Sequence, residues 1–275
     1  MSALTQSGLA IDALEATDGG ELITELVMKW RSLEEQTAGQ STRSLREIYA
    51  ERKELIAKYV PAEVQSVHIG VVSELERSGI VERAPRAGSE VPGFELSDST
   101  GKLVCSVDLL ERGPIVVCFI RGRWCPFCVG QMEAMKAALP QIERLGASLV
   151  AISPQTVHQS FLMADQHQLR FPVLSDRENR VARQFGLVYR VPADQQEIYR
   201  RAFINLPSIN GENGWELPIP ATYIIGSRRA GEDAVRLPSG QLRPQHDRVL
   251  YAWVNPDYTE RPEPAEVIDS LRRLL

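Results

Sequence analysis

Ile115-Val116-Val117-Cys118-Phe119-Ile120-Arg121-Gly122-Arg123-Trp124-Cys125-Pro126-Phe127-Cys128 is the stretch that organises the chain. Its first six residues are all apolar and predict a strand buried on both faces. A short turn follows, and Pro126, a residue suited to the first turn of a helix, opens a helix to about residue 145. Cys125 then falls about at the N-cap and Cys128 in the first turn. Unpaired backbone N–H groups and the positive end of the helix dipole favour a thiolate there. Arg121 and Arg123 add positive charge beside it. Two intervening residues in a helical turn bring the sulfurs close enough to bond, so the pair can cycle between dithiol and disulfide.

Outward from this unit, strands are expected at 148–152, 171–174, 221–225 and 249–254, and helices at 157–167, 179–185 and 264–275. That alternation argues an α/β fold with a central sheet covered on both faces. Residues 227–247, with Gly231, Pro238, Gly240 and Pro244, read as a long excursion between two strands. Upstream, Ala84-Pro85-Arg86-Ala87-Gly88-Ser89-Glu90-Val91-Pro92-Gly93 is turn-forming and marks a boundary. Before it the chain reads as helix. Leu22, Leu26, Trp30 and Leu33 recur at helical spacing, as do Leu45, Ile48, Leu55 and Tyr59, and then Val64, Val67, Val71 and Leu75 after Pro61. The expected organisation is a helical N-terminal extension over 1–83 and an α/β domain over 84–275. Each segment of the extension carries an apolar stripe that a lone helix cannot bury. Pairing in a homodimer about a two-fold axis covers such stripes, and so does packing on the same chain; the homodimer is the favoured expectation.

Composition narrows the partners. In 275 residues, 31 Lys+Arg stand against 36 Asp+Glu, a net charge of −5 that gives no reason to expect nucleic acid or an anionic membrane as partner. The apolar run 115–120 is far short of the ~20 residues of a spanning helix. The first 28 residues hold five acids and no base, unlike a signal peptide, so a cytoplasmic location is expected. Four cysteines are too few for a disulfide scaffold. Cys105 and Cys118 stand alone and read as small apolar residues. In a reducing compartment the Cys125-x-x-Cys128 pair reads as redox chemistry or half of a metal site. A zinc site needs four ligands, and His68, His158, His167 and His246 are scattered. No metal or organic cofactor is expected.

Several separated motifs carry a resemblance. Trp124-Cys125-Pro126-Phe127-Cys128 after an apolar strand resembles the thioredoxin superfamily. Pro92-Gly93-Phe94-Glu95-Leu96-Ser97-Asp98 resembles the entry segment of peroxiredoxins, and Phe171-Pro172-Val173-Leu174-Ser175-Asp176, with Val181-Ala182 and Phe185-Gly186, resembles a later stretch. Leu217-Pro218-Ile219-Pro220-Ala221-Thr222-Tyr223-Ile224-Ile225 is similar to the strand facing their active site. Together these resemble the peroxiredoxin-like branch of the alkyl hydroperoxide reductase/thiol-specific antioxidant (AhpC/TSA) family, over about 85–275. The resemblance implies a thioredoxin-like fold, a central mixed sheet flanked by helices. There are departures. Overlaying the motif P-x-x-x-T-x-x-C puts Arg121 at the proline, Cys125 at the threonine and Cys128 at the peroxidatic cysteine. Pro220 stands where the family has its catalytic arginine. It resembles instead the thioredoxin cis-proline, and an Ile-Pro bond adopts cis at modest cost.

The resemblance implies a thiol peroxidase acting on hydrogen peroxide or organic hydroperoxides. One thiolate becomes a sulfenic acid, the other cysteine condenses with it, and a thioredoxin-like or low-molecular-weight thiol reduces the bridge. Its expected site is Cys125, Cys128, Arg121, Arg123, Trp124 and Pro220, with Arg121 or Arg123 standing in for the family arginine. Cys125 is favoured as first attacker on the thioredoxin likeness and Cys128 on the overlay; Pro220 and Trp124 tip the expectation to Cys125. A thiol–disulfide oxidoreductase and a redox-sensing interaction protein are the alternatives. Asn255-Pro256-Asp257-Tyr258-Thr259 also resembles the family, without an assigned role.

Overall fold

Strand β4 (Ile115–Phe119) is buried at all five positions. In the computed structural model, which describes residues 43–211, 214–226 and 247–274, it lies in the middle of an eight-stranded sheet. The segment at 22–33 and the excursion at 227–246 lie outside the described residues. β4 runs parallel to β5 (Ser148–Ser153) and antiparallel to β9 (Ala221–Gly226). Beyond β9 stand β10 (Asp247–Val254) and β1 (Glu90–Val91). Beyond β5 stand β6 (Val173–Ser175), β2 (Glu95–Ser97) and β3 (Leu103–Cys105). The fold is thioredoxin-like, with a mixed sheet between helices.

The period-two alternation of a strand explains why the stretch has no polar residue. Val116, Cys118 and Ile120 join one apolar cluster, while Ile115, Val117 and Phe119 join another on the opposite face. Helix α5 (Pro126–Arg144) covers the first face with α10 (Pro264–Leu274), whose Val267, Ile268 and Leu271 point inward. Among the described residues no helix is long and apolar enough to cross a membrane.

The two described N-terminal segments are helices packed on their own chain. Helix α1 (Leu45–Tyr59) opens with a capping box of Ser44 and Glu47. Its buried face, Leu45, Ile48, Tyr49, Arg52 and Leu55, lies against α5 and joins the same apolar cluster. Helix α2 (Ala62–Arg77) turns Val71 and Leu75 into the opposite cluster. The α1 stripe is thus covered without a second subunit, while on α2 Val71 and Leu75 are buried and Val64 and Val67 stay half-buried.

One unit went unforeseen between Gly186 and Pro220. Strands β7 (Val188–Arg190) and β8 (Glu216–Pro218) pair antiparallel. Between them, α8 (Ala193–Arg201) and α9 (Leu206–Asn210) carry a small core of Val191, Tyr199, Leu206 and Leu217, against which Trp124 packs. This unit forms a cover over the turn after β4.

Candidate active site

The turn between β4 and α5 is tight because Gly122 adopts φ +137°, where a Cβ would stand 2.9 Å from Trp124 Nε1. The Cys125 N–H closes it on the Gly122 carbonyl at 3.2 Å. Cys125 is the N-cap of α5, and its carbonyl accepts from Cys128 and Val129 N–H, each at 3.0 Å. Both thiols are free and buried, Cys125 1% and Cys128 0% exposed. Neither thiol is exposed to solvent, so exposure does not separate the two.

Cys128 Sγ collects the closer donors, while the Arg121 guanidinium donates through Nη1 to Cys125 Sγ at 3.8 Å. Arg261 Nη2 lies 3.2 Å away and the Arg121 N–H 3.4 Å away, and the Cys125 thiol donates to it. Burial pushes the Cys128 thiol up, but the Cys125 donor, the Arg261 and Arg121 charges and the Arg121 N–H together outweigh it. The net direction is well below the ordinary thiol range. Burial, the hydrogen bond to Cys128 and the Cys128 charge hold Cys125 well above it. The pair is therefore a thiolate at Cys128 receiving a hydrogen bond from a thiol at Cys125. These directions favour the order opposite to the expected one.

Arg261 stands two residues after the Asn255–Thr259 stretch that had no assigned role. After β10, Asp257 N–H donates to Asn255 Oδ1 and Thr259 N–H to Asp257 Oδ1, each at 2.9 Å, forming a tight turn. The turn delivers Arg261, which donates to the Tyr258 and Glu260 carbonyls and, through Nε at 2.8 Å, to Gln131 Oε1. Arg121 is 1% exposed. Its Nη2 donates to the Tyr199 hydroxyl, and its Cζ lies 4.2 Å from the Tyr258 ring centre and 4.6 Å from that of Trp124. Among the described residues no carboxylate pairs with either guanidinium. A buried cation without a counter-ion is strongly unfavourable, so a thiolate at Cys128 offsets one of the two positive charges. His68 lies against the rings of Tyr199 and Tyr258; burial and the Arg121 charge push its pKa down to about 4. It is neutral at pH 7.

The structure brings Cys125, Cys128, Arg121 and Trp124 together and leaves Arg123 out. Arg123 Nε donates to Gln159 Oε1 at 2.6 Å on α6 (Val157–Gln166), and its N–H to Gln155 Oε1 at 3.0 Å, rather than to either sulfur. Pro220 is buried beside β4 at the start of β9. Among the described residues no peptide bond is cis, so the expected cis bond at Ile219-Pro220 is corrected to trans. The Pro220 carbonyl accepts from Asn255 N–H at 3.2 Å, extending the β9–β10 ladder. Cys105 sits on the far edge strand, donating to Glu95 Oε2 at 3.1 Å. Cys118 is buried in β4, its thiol pushed up to about 12 by burial. Among the described residues no three His, Cys, Asp or Glu gather into a metal-binding group. Arg261, Tyr199 and Tyr258 escaped the sequence reading; only the quoted Asn255–Thr259 resemblance gave a signal for any of them.

The AhpC/TSA family model matches residues 87–230, just over half of the chain. The chain belongs to the AhpC/TSA family. As a member it is a thiol-dependent peroxidase, in line with its relatives. A putative peroxiredoxin of Mycobacterium tuberculosis is 29% identical over 119 residues, which is 43% of this chain and 77% of that one. The chloroplastic Peroxiredoxin Q of Triticum aestivum is 31% identical over 117 residues, 42% of this chain and 52% of that one. Among solved structures, a cysteine-to-serine mutant of the Peroxiredoxin 6 of Arenicola marina superposes with a TM-score of 0.50 at 16% identity, covering 69% of this chain and 73% of that chain, a likeness of fold. Both Arg261 and helix α1 lie outside the residues that the AhpC/TSA model matches.

Proposed function

We propose that peroxide reduction by this protein runs through Cys128 as the attacking thiol and Cys125 as the resolving one. The Cys128 thiolate attacks one peroxide oxygen, the O–O bond breaks, and the departing oxygen takes a proton and leaves as water or an alcohol. Cys128 is then a sulfenic acid. The Cys125 sulfur attacks it, the sulfenic oxygen leaves as water with the Cys125 proton, and a Cys125–Cys128 disulfide remains. Two thiols of an external reductant, thioredoxin-like or of low molecular weight, reopen the bridge and become a disulfide themselves. Arg261 and Arg121 act at the attack: they hold the thiolate and attract the charge that develops on the departing oxygen.

A single observation carries this reading: Cys128 Sγ accepts from Arg261 and Arg121 while Cys125 donates to it. Trp124 and Tyr258 enclose Arg121 and keep bulk water from the charges. The test is peroxide consumption with a thiol reductant. Cys128→Ser abolishes turnover and the first oxidation alike; Cys125→Ser abolishes efficient turnover and keeps the first oxidation. The opposite pattern refutes the assignment.

The same proposal places the enzyme in the cytoplasm, where reducing thiols are at hand. A net charge of −5 supports partners other than nucleic acid or an anionic membrane. A homodimer is proposed with it, supported by exposed apolar side chains such as Phe203 and Ile69. Sizing at micromolar concentration decides that part, and a monomer refutes it.

A further inference from the structure

We propose that helix α1 is a positioning element of the active site, in which Tyr49 and Arg52 hold the Pro126-Phe127 backbone between the two cysteines in the polarised form that favours a thiolate at Cys128. This inference rests on the assignment of Cys128 above. The Tyr49 hydroxyl donates to the Phe127 carbonyl, and Arg52 Nη1 donates to the Pro126 carbonyl at 2.7 Å. Both side chains are buried, Arg52 completely. Burial pushes the Tyr49 phenol up, so it stays a neutral donor. The Tyr49 ring meets that of Phe127 edge-on, with centres 5.0 Å apart. Gly130, on the next turn, completes the fit: a Cβ there would stand 3.0 Å from Arg52 Nη1 and from the Tyr49 hydroxyl. The catalytic helix thus makes room for two donors from a helix outside the residues shared with the family.

The physical effect follows from the carbonyls. Each has two lone pairs, and an α-helix uses one of them on the N–H four residues on. Tyr49 and Arg52 take the other. A second donor polarises the whole peptide unit, so the N–H at its far end becomes more positive. For these two units that N–H belongs to Phe127 and to Cys128, in the first turn; the Cys128 N–H bonds the Cys125 carbonyl, so the added positive charge acts through the field of the helix start and not through a bond to either sulfur.

The test uses the reduced full-length protein and follows thiolate absorbance in the ultraviolet against pH. Tyr49→Phe keeps the ring and removes only the hydroxyl; Arg52→Met removes the donor, and Arg52→Lys restores one. Each lost donor raises the titration midpoint of Cys128 by roughly 0.2–0.7 of a pH unit. At neutral pH the same loss moves the dithiol–disulfide equilibrium with glutathione about twofold to fivefold toward the disulfide. Arg52→Lys recovers part of both shifts. A purely structural role lowers the melting temperature and leaves midpoint and equilibrium unmoved, which overturns the proposal. A wild-type protein with no thiol titrating below the ordinary range refutes the Cys128 assignment instead. The glutathione equilibrium, which involves no peroxide, then decides the role of Tyr49 and Arg52 by itself.

Discussion

At Cys128, burial pulls against the hydrogen bond from Cys125 and the charges of two guanidiniums, which together outweigh it. Arg261 is the nearer of them, at 3.2 Å. A hydrogen bond to a charged group contributes about 1.5–3 kcal/mol. Arg261→Met is therefore expected to slow the reaction with peroxide roughly tenfold to a hundredfold at neutral pH and to raise the Cys128 titration midpoint; rapid-mixing kinetics against pH reads both. The sign of the pH dependence follows. Because its native pKa is depressed, Cys128 adds stability that is complete above its unfolded value and is lost as pH falls through the native one. Peroxide reactivity is accordingly level at neutral pH and falls in acid through the same midpoint. A rate that climbs through the ordinary thiol range, near pH 8.5, contradicts this. Cys125, Cys128, Arg121 and Trp124 were legible in the sequence because they are neighbours on one strand–turn–helix unit. Arg261 was not: it contacts Cys128 across 133 positions of chain, and no local pattern encodes such a pairing.

Helix α1 shows what element-level patterns conceal. Its stripe of Leu45, Ile48 and Leu55 was legible as amphipathic, and five of the eight sheet strands and the closing helix were found near their observed bounds for the same reason; the short β1, β2 and β3 were not, and β1 lies in the stretch read as a turn. A stripe says that something covers it, not what. Here the catalytic helix does, so the extension shares a core with the site. Ile48→Ala, at a position 2% exposed, is expected to destabilise by about 2–5 kcal/mol. The loss should appear in a single unfolding transition monitored by both helicity and thiolate absorbance. Two separated transitions would show that the extension unfolds apart from the domain. Helix α8 was missed because its sequence, ADQQEIYRR, is almost wholly polar and buries only Gln195 and Tyr199. Too little apolar surface remains to announce a helix, although Tyr199 is one of its two inward contacts and reaches Arg121.

For the whole molecule, the redox state of one sulfur sets the charge balance of the interior. In the dithiol state the Cys128 thiolate faces Arg121 and Arg261; in the disulfide state that negative charge is gone and the two guanidiniums are left without it. The oxidised protein should therefore melt at a lower temperature than the reduced protein at pH 7, by several degrees if the lost interaction is about 1–3 kcal/mol. Scanning calorimetry of both forms reads the difference, and a more stable disulfide form contradicts the charge account. The central claim is narrower, that Cys128 attacks first. It is tested most directly by adding one equivalent of peroxide to the Cys125→Ser and Cys128→Ser proteins with a sulfenic-acid trap and locating the adduct by mass spectrometry. The account requires an adduct on Cys128 in the Cys125→Ser protein and no rapid adduct on Cys125 in the other. A rapid adduct on Cys125 with Cys128 unlabelled would contradict it.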